Sequence, residues 1–173
     1  MIRSVKKEDY KKVEELIVEA FSKSEHGYNG EVDIVKKVRE LPDYSEELEL
    51  VYLEDGEIVG HALLSSTWIL DKEKNVIKEG LVLAPISVIP DKQGQGIGGK
   101  LIEALEQLTT GRIAFISILG NPLYYGRFGY KSASEYSVKA PFDVPEEYFM
   151  IKELSVDELL NSEGTLKYNQ AFD

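Results

Sequence analysis

Four glycines within six residues, at positions 94, 96, 98 and 99, are the strongest chemical signal in this sequence. They lie in Asp91-Lys-Gln-Gly-Gln-Gly-Ile-Gly-Gly-Lys100, between a β-like run ending at Pro90 and a run with Ile97, Leu101, Ile102, Leu105 and Leu108 at helical spacing. Glycine has no side chain to block an approaching anion. The first N–H groups of a helix lack partners and meet the positive end of its dipole. Such a turn can bind a diphosphate through backbone alone. Each glycine inside the first helical turns costs roughly 0.5–1 kcal/mol, so a ligand contact that offsets the cost is expected. Two phosphate-loop patterns fit only in part. Read as Gly94-x4-Gly99-Lys100, the loop meets Leu101 where a Ser or Thr hydroxyl should hold magnesium, and no aspartate ends the run Ile113 to Leu119. Read as Gly94-x-Gly96-x-x-Gly99, it should begin directly at a strand end and be followed by an acid about 20 residues on. Instead Pro90-Asp-Lys-Gln intervenes, and the next strand runs into Leu119-Gly-Asn121.

The elements that must position this loop can be read from periodicity. Residues 1–6 alternate weakly as a strand, and Tyr10, Val13, Leu16, Ile17, Ala20 and Phe21 mark one face of a helix. A polar loop, 24–30, leads to a second helical pattern, Ile34, Val35, Val38 and Leu41, which Pro42 stops. Strand-like runs 48–53 and 58–70 flank Asp55-Gly56, a hairpin signal, and the polar tract 71–75 turns the chain into a third long strand, 76–89. Strand 76–89, helix 96–109 and strand 113–119 then form a βαβ unit, so its two strands are expected to be parallel neighbours. Within the first of them, Pro85 removes a ladder donor and requires an edge, a bulge or an irregularity. Beyond 130 we expect strands at 135–139 and 147–154 and a short polar helix at 155–161. The predicted class is α/β with a mixed sheet.

Gln93-Gly-Gln-Gly-Ile-Gly98 fits a third pattern without a gap: Gln or Arg, two residues, Gly, one residue, then Gly or Ala. With Val88-Ile-Pro-Asp before it and Gly99-Lys-Leu-Ile102 after it, the segment resembles the acyl-coenzyme A loop of the GNAT superfamily of N-acetyltransferases. Tyr124-Tyr-Gly-Arg-Phe-Gly-Tyr130 is similar to that superfamily's Tyr followed by Gly-Phe, and Leu119-Gly-Asn-Pro122 looks like a bacterial branch of it. The element order agrees over 1–140. The resemblance implies one N-acetyltransferase domain over 1–173, with a core at 1–140 and C-terminal strands and a short helix at 141–173. It implies a mixed, mostly antiparallel sheet with a central splayed parallel pair, flanked by helices.

The resemblance also implies acetyl-coenzyme A as co-substrate. Gln93, Gly94, Gln95, Gly96, Ile97, Gly98, Gly99 and Lys100 would hold its diphosphate. The strand around Ile86 and Val88 would meet its pantetheine arm, and Asn121 would make a further contact, although the family's usual Asn lies further ahead of the aromatic segment. Tyr125 aligns with the tyrosine that protonates the departing thiolate, and Tyr124 is its confounding neighbour. The acceptor would be a small-molecule or peptide amine. A lysine-like amine with a pKa of about 10 must lose a proton before it attacks. Glu79 could take it, directly or through water, as could His61, Glu25, His26 or the C-terminal carboxylate beside Phe172. The alternative within the same fold is a silent acyl-coenzyme A binding module.

Composition narrows the remaining classes. The 173 residues carry 31 acidic and 20 basic side chains, a net charge of −11, with 43% apolar and 29% charged residues, the balance of a soluble globular chain. There are no cysteines, which excludes thiolate chemistry, disulfides and thiolate zinc sites, and the two histidines, His26 and His61, cannot alone form a zinc site. Acidity argues against nucleic acid, and Arg127-Phe-Gly-Tyr130 lacks the full spacing of an RNA-binding sheet motif. No stretch reaches the ~18 apolar residues of a membrane helix, so no membrane partner is expected, and a cytoplasmic location is. The tail's strands could pair across a two-fold, giving a homodimer.

Overall fold

Alternating and helical hydrophobic patterns resolve into nine strands and four α-helices in the computed structural model, which describes residues 1–173. In chain order these are β1 (Ile2–Ser4), α1 (Tyr10–Ser22), α2 (Glu31–Arg39), β2 (Glu49–Glu54), β3 (Glu57–Leu70), β4 (Val76–Val88) and α3 (Ile97–Thr109). There follow β5 (Phe115–Leu119), α4 (Pro122–Tyr125), β6 (Lys131–Ser132), β7 (Val138–Lys139), β8 (Phe149–Glu153) and β9 (Gly164–Tyr168). Hydrogen bonding orders the strands β1-β2-β3-β4-β5-β8-β6, with β9 beside β3 and β7 beside β9. The pairs β1–β2, β2–β3, β3–β9, β5–β8 and β6–β8 are antiparallel. The β4–β5 pair is parallel, as the βαβ reading requires, through Leu81–Ile116 and Val82–Ser117. The β7–β9 pair is also parallel. The sheet is therefore mixed and mostly antiparallel.

The chain divides into two compact units, and β3 and β4 run from one to the other. The first unit comprises Met1–Ser65 and Ala84–Leu108. In it the hairpin turn Asp55-Gly56 has φ of 53° and 79°, the double left-handed conformation of a tight turn. Two residues later the ladder slips: Leu53 faces Ile58 while Tyr52 faces Gly60, leaving Val59 as the extra residue of a β-bulge. Past the bulge, Glu49 and Val51 face Leu63 and His61 on one side of the sheet. That is the side of α2, whose Arg39 reaches Glu49. On the other side α3 packs so closely that a Cβ on Gly60 would meet Ile97 at 3.0 Å and Leu101 at 3.2 Å. Helices thus flank both faces. Buried Val13, Leu16 and Ile17 of α1 and Val32, Val35 and Val38 of α2 complete this core.

The second unit comprises Ser66–Leu83 and Thr109–Asp173. Its core gathers Ile69, Phe115, Ala133, Val138, Phe149, Ile151, Leu159 and Leu166. The ring of Phe115 lies on Gly80, where a Cβ would be 2.5 Å from it. The tail departs from the sequence reading. The helix expected at 155–161 is a series of turns in which Asp157 and Asn161 have φ of 63° and 60°. Asp, Asn and Ser favour such local turns over helix, and the Glu153 carboxylate accepts the Leu159 N–H at 2.9 Å, which seats buried Leu159 in the core. The strand expected at 135–139 shortens to Val138–Lys139 behind a 3-10 turn at Ala133–Tyr136. Strand β9 was not anticipated, since Leu166 is its one buried residue.

Candidate functional site

The glycine loop is built from the first unit upward. Where β4 ends, the Ile89 N–H donates to the carbonyl of Val59, the bulged residue of β3, at 3.0 Å. Pro90–Lys92 turns as a 3-10 helix, and Lys92 Nζ reaches Glu54 on β2 at 3.0 Å. Gln93 folds back so that its amide donates to the Val88 carbonyl at 3.0 Å, and the Gln95 amide reaches the Asp91 carbonyl at 3.5 Å. These bonds close the loop on itself. Gly94 and Gly96 then take φ of 77° and 84°, a conformation that costs an L-residue about 1–2 kcal/mol. No atom lies within 4 Å of where a Cβ would stand on either residue, so the space above them is open.

The Gly96 carbonyl accepts from the Lys100 N–H at 3.1 Å, which makes Gly96 the N-cap of α3. The amides of Ile97, Gly98 and Gly99 precede that first intrahelical bond and have no partner within the helix. Ile97, Gly98 and Gly99 are buried, whereas Gln93 to Gly96 and Lys100 are exposed. Ile86 and Val88 are half-buried on β4, and Pro85 between Ala84 and Ile86 is buried within the strand. A diphosphate fits here as the residues stand. The cradle is open, lined by backbone donors and set at the positive end of a thirteen-residue helix.

The aromatic segment belongs to the second unit. Asn121 caps α4: its side-chain oxygen accepts the Leu123 N–H at 2.9 Å, and its carbonyl accepts from Tyr125 at 3.0 Å. The Tyr125 ring lies directly on Gly120, where any side chain would collide with it. It meets Tyr124 edge-on at 4.9 Å and Tyr130 at 6.3 Å. Burial, with a smaller contribution from Tyr124, pushes the Tyr125 phenol up to about 12. It is therefore protonated at every working pH. Tyr124 is shifted up by burial against the opposing charge of Arg127, whose guanidinium stands 4.8 Å from its ring.

The candidate bases occupy different settings. Glu79 is exposed near the start of β4 and lines an open cleft of about 480 Å³ with Lys78, Arg112, Ala114 and Glu158. Ala114 immediately precedes β5 and Tyr125 follows its end, so Glu79 and Tyr125 stand at opposite ends of that strand. Glu25 and His26 are exposed in the interhelix loop. The C-terminal Asp173 is exposed, behind a turn that Asn169 caps and that Phe172 anchors by stacking on Tyr168 at 5.0 Å. His61 is fully buried and hydrogen-bonded to Glu49 at 2.8 Å. This last pair is the feature sequence reasoning missed. Its only signal was Glu49, a charged residue heading an apolar strand on the face where Val51 is buried. No group of three or more His, Asp or Glu side chains is gathered closely enough to hold a metal ion.

A model described as Acetyltransferase (GNAT) family matches residues 11–122. The chain is 31% identical over 144 residues to the uncharacterized N-acetyltransferase YjhQ of Escherichia coli (strain K12), covering 82% of this chain and 76% of that protein. It is similar in structure to YhbS from Escherichia coli, solved in complex with CoA, with a TM-score of 0.82 at 26% identity over 99% of this chain and 91% of that one. A GNAT family acetyltransferase from Brucella melitensis, solved in complex with acetyl-CoA, matches with a TM-score of 0.77 at 30% identity over 100% of this chain and 97% of that one. The chain belongs to the GNAT family of acetyltransferases.

Proposed function

We propose that this chain transfers an acetyl group from acetyl-coenzyme A to a primary amine by direct attack while both are bound. One observation carries the reading: the start of α3, where two left-handed glycines and the first helical amides form an open anion cradle in a chain of this family. The two similar structures that hold CoA or acetyl-CoA support the choice of ligand. Gly94, Gly96 and the amides of Ile97, Gly98 and Gly99 would take the diphosphate.

Holding both reactants together turns a bimolecular step into an effectively unimolecular one. The neutral amine attacks the thioester carbonyl, and the C–N bond forms as the C–S bond breaks. The nitrogen's surplus proton leaves to water, and the departing sulfur takes a proton from Tyr125. A phenol near 12 gives a proton to a free thiolate, ordinarily about 8–9, only uphill. Tyr125 therefore acts while the C–S bond is breaking, and the phenolate it leaves regains a proton from water. Glu79 is not assigned the amine's proton, since it stands at the other end of β5. The net charge of −11 favours a cationic acceptor by steering.

The test is release of free thiol from acetyl-coenzyme A across a panel of amines, with a control lacking amine. Amine-dependent thiol release is expected. Binding of coenzyme A with no release beyond the control for any amine would mark the chain as a binding module instead.

A further inference from the structure

A charged cluster that the proposed chemistry does not use lies under β2 and β3. The Glu49 carboxylate is fully buried and takes four hydrogen bonds: from Arg39 Nε at 3.1 Å and Nη2 at 2.6 Å, from the Tyr44 hydroxyl at 2.6 Å and from His61 Nε2 at 2.8 Å. The Arg39 guanidinium stacks 3.6 Å from the centre of the Tyr10 ring, and Tyr10 also bonds Tyr44. Elements α1, α2 and β3 thus all converge on one carboxylate of β2. Burial opposes its charge, and the bonds from His61, Arg39 and Tyr44 outweigh burial and hold it at about 2.

A buried ion cluster of this kind adds little stability over a well-packed apolar one. Its position is what gives it a use. His61 Nδ1 is buried with no partner, so the bond from Nε2 to Glu49 is the one hydrogen bond that orients the ring. His61 is also the second residue after the bulged Val59. Three consecutive residues of β3 then do three jobs. The Val59 carbonyl receives the Ile89 N–H at the entry to the glycine loop. Gly60 seats Ile97 and Leu101, in the first two turns of α3, on the other face of the sheet. His61 pins the strand to Glu49 from beneath. A bulge is a pliable place in a ladder, and here both ends of the loop rest on it.

We propose that His61, held by Glu49, is a positioning residue for coenzyme A: it fixes the register of the Val59 bulge and thereby the loop and the first amides of α3. This rests on the reading that the loop binds the diphosphate. Neither side chain touches the ligand.

The test is calorimetric titration of coenzyme A into the wild type, His61→Leu and His61→Gln, with melting temperatures recorded for each. Gln retains a donor for Glu49 and Leu does not. Binding about tenfold weaker is expected for His61→Leu, within the range for one lost hydrogen bond to a charged group, with recovery to within about threefold in His61→Gln. A purely structural role would lower the number of binding sites per chain and leave the affinity of the folded fraction unchanged. Should His61→Leu not fold, Glu49→Asp decides: it keeps a charge for Arg39 but draws the carboxylate back from His61, and weaker binding by several-fold is expected. Unchanged affinity in the folded His61→Leu protein, or in Glu49→Asp if that variant is needed, would overturn the positioning role alone. No binding by the wild type would overturn the loop reading and this inference with it.

Discussion

The glycine loop and the aromatic segment offer opposite solutions to holding chemistry in place. At residues 93–100 the working groups are backbone amides, four of the eight residues are glycines, and the space above Gly94 and Gly96 is open. At residues 119–130 the working group is one phenol, packed on Gly120 and between two other tyrosine rings, and burial sets its acidity. The first needs a conformation and the second needs an environment. Changes to the loop should therefore act on binding, and changes to the segment on turnover.

The largest expected effect is at Tyr125. Its replacement by Phe should lower thiol release by about 10²–10³, within the range for loss of a general acid, and leave the affinity for coenzyme A within about twofold. Equal losses in both would break the contrast. Next comes Glu49→Gln, which leaves Arg39 facing a neutral group in a buried site and should cost about 3 kcal/mol of stability by denaturant unfolding. The same variant carries a pH signature. Glu49 is held at about 2 against an ordinary 4.5, so its contribution is present above pH 4.5 and is lost as pH falls toward 2. The wild type should thus lose stability over that window more steeply than the variant does.

Gly96→Ala should weaken coenzyme A by roughly tenfold, because a side chain at φ 84° costs about 1–2 kcal/mol, with turnover at saturation retained. It is the mirror image of Tyr125→Phe. Smallest is the alkaline effect. The phenol stands at about 12 in the folded chain and about 10 when unfolded, so its burial favours folding below pH 10, and that advantage fades as pH climbs toward 12. Turnover between pH 6 and 9 should show no limb that Tyr125→Phe removes.

The same contrast explains what the sequence disclosed. Backbone devices announce themselves in residue types: Gly94 and Gly96 before a helical period, Asp55-Gly56 between alternating runs, and the strand–helix–strand order that makes β4 and β5 parallel. Side-chain environments do not. Glu49 reads as an ordinary polar position and His61 as a candidate base, and nothing local shows that Arg39 and Tyr44 arrive from elsewhere to share one carboxylate. Glu79 could be placed on its strand from alternation, but the end of the ladder it occupies depends on register with β5. In the tail the strand expected at 147–154 is β8, whereas Asp157 and Asn161 adopt left-handed turns inside a helix-like stretch and β9 buries only Leu166, so the pattern shows neither.

The most direct measurement follows the backbone amide resonances of the chain through a titration with coenzyme A. The expected result is that the amides of Gly96, Ile97, Gly98 and Gly99 move furthest and saturate together with the heat of binding. Saturable binding that leaves those four amides where they began would contradict the claim that the start of α3 holds the diphosphate.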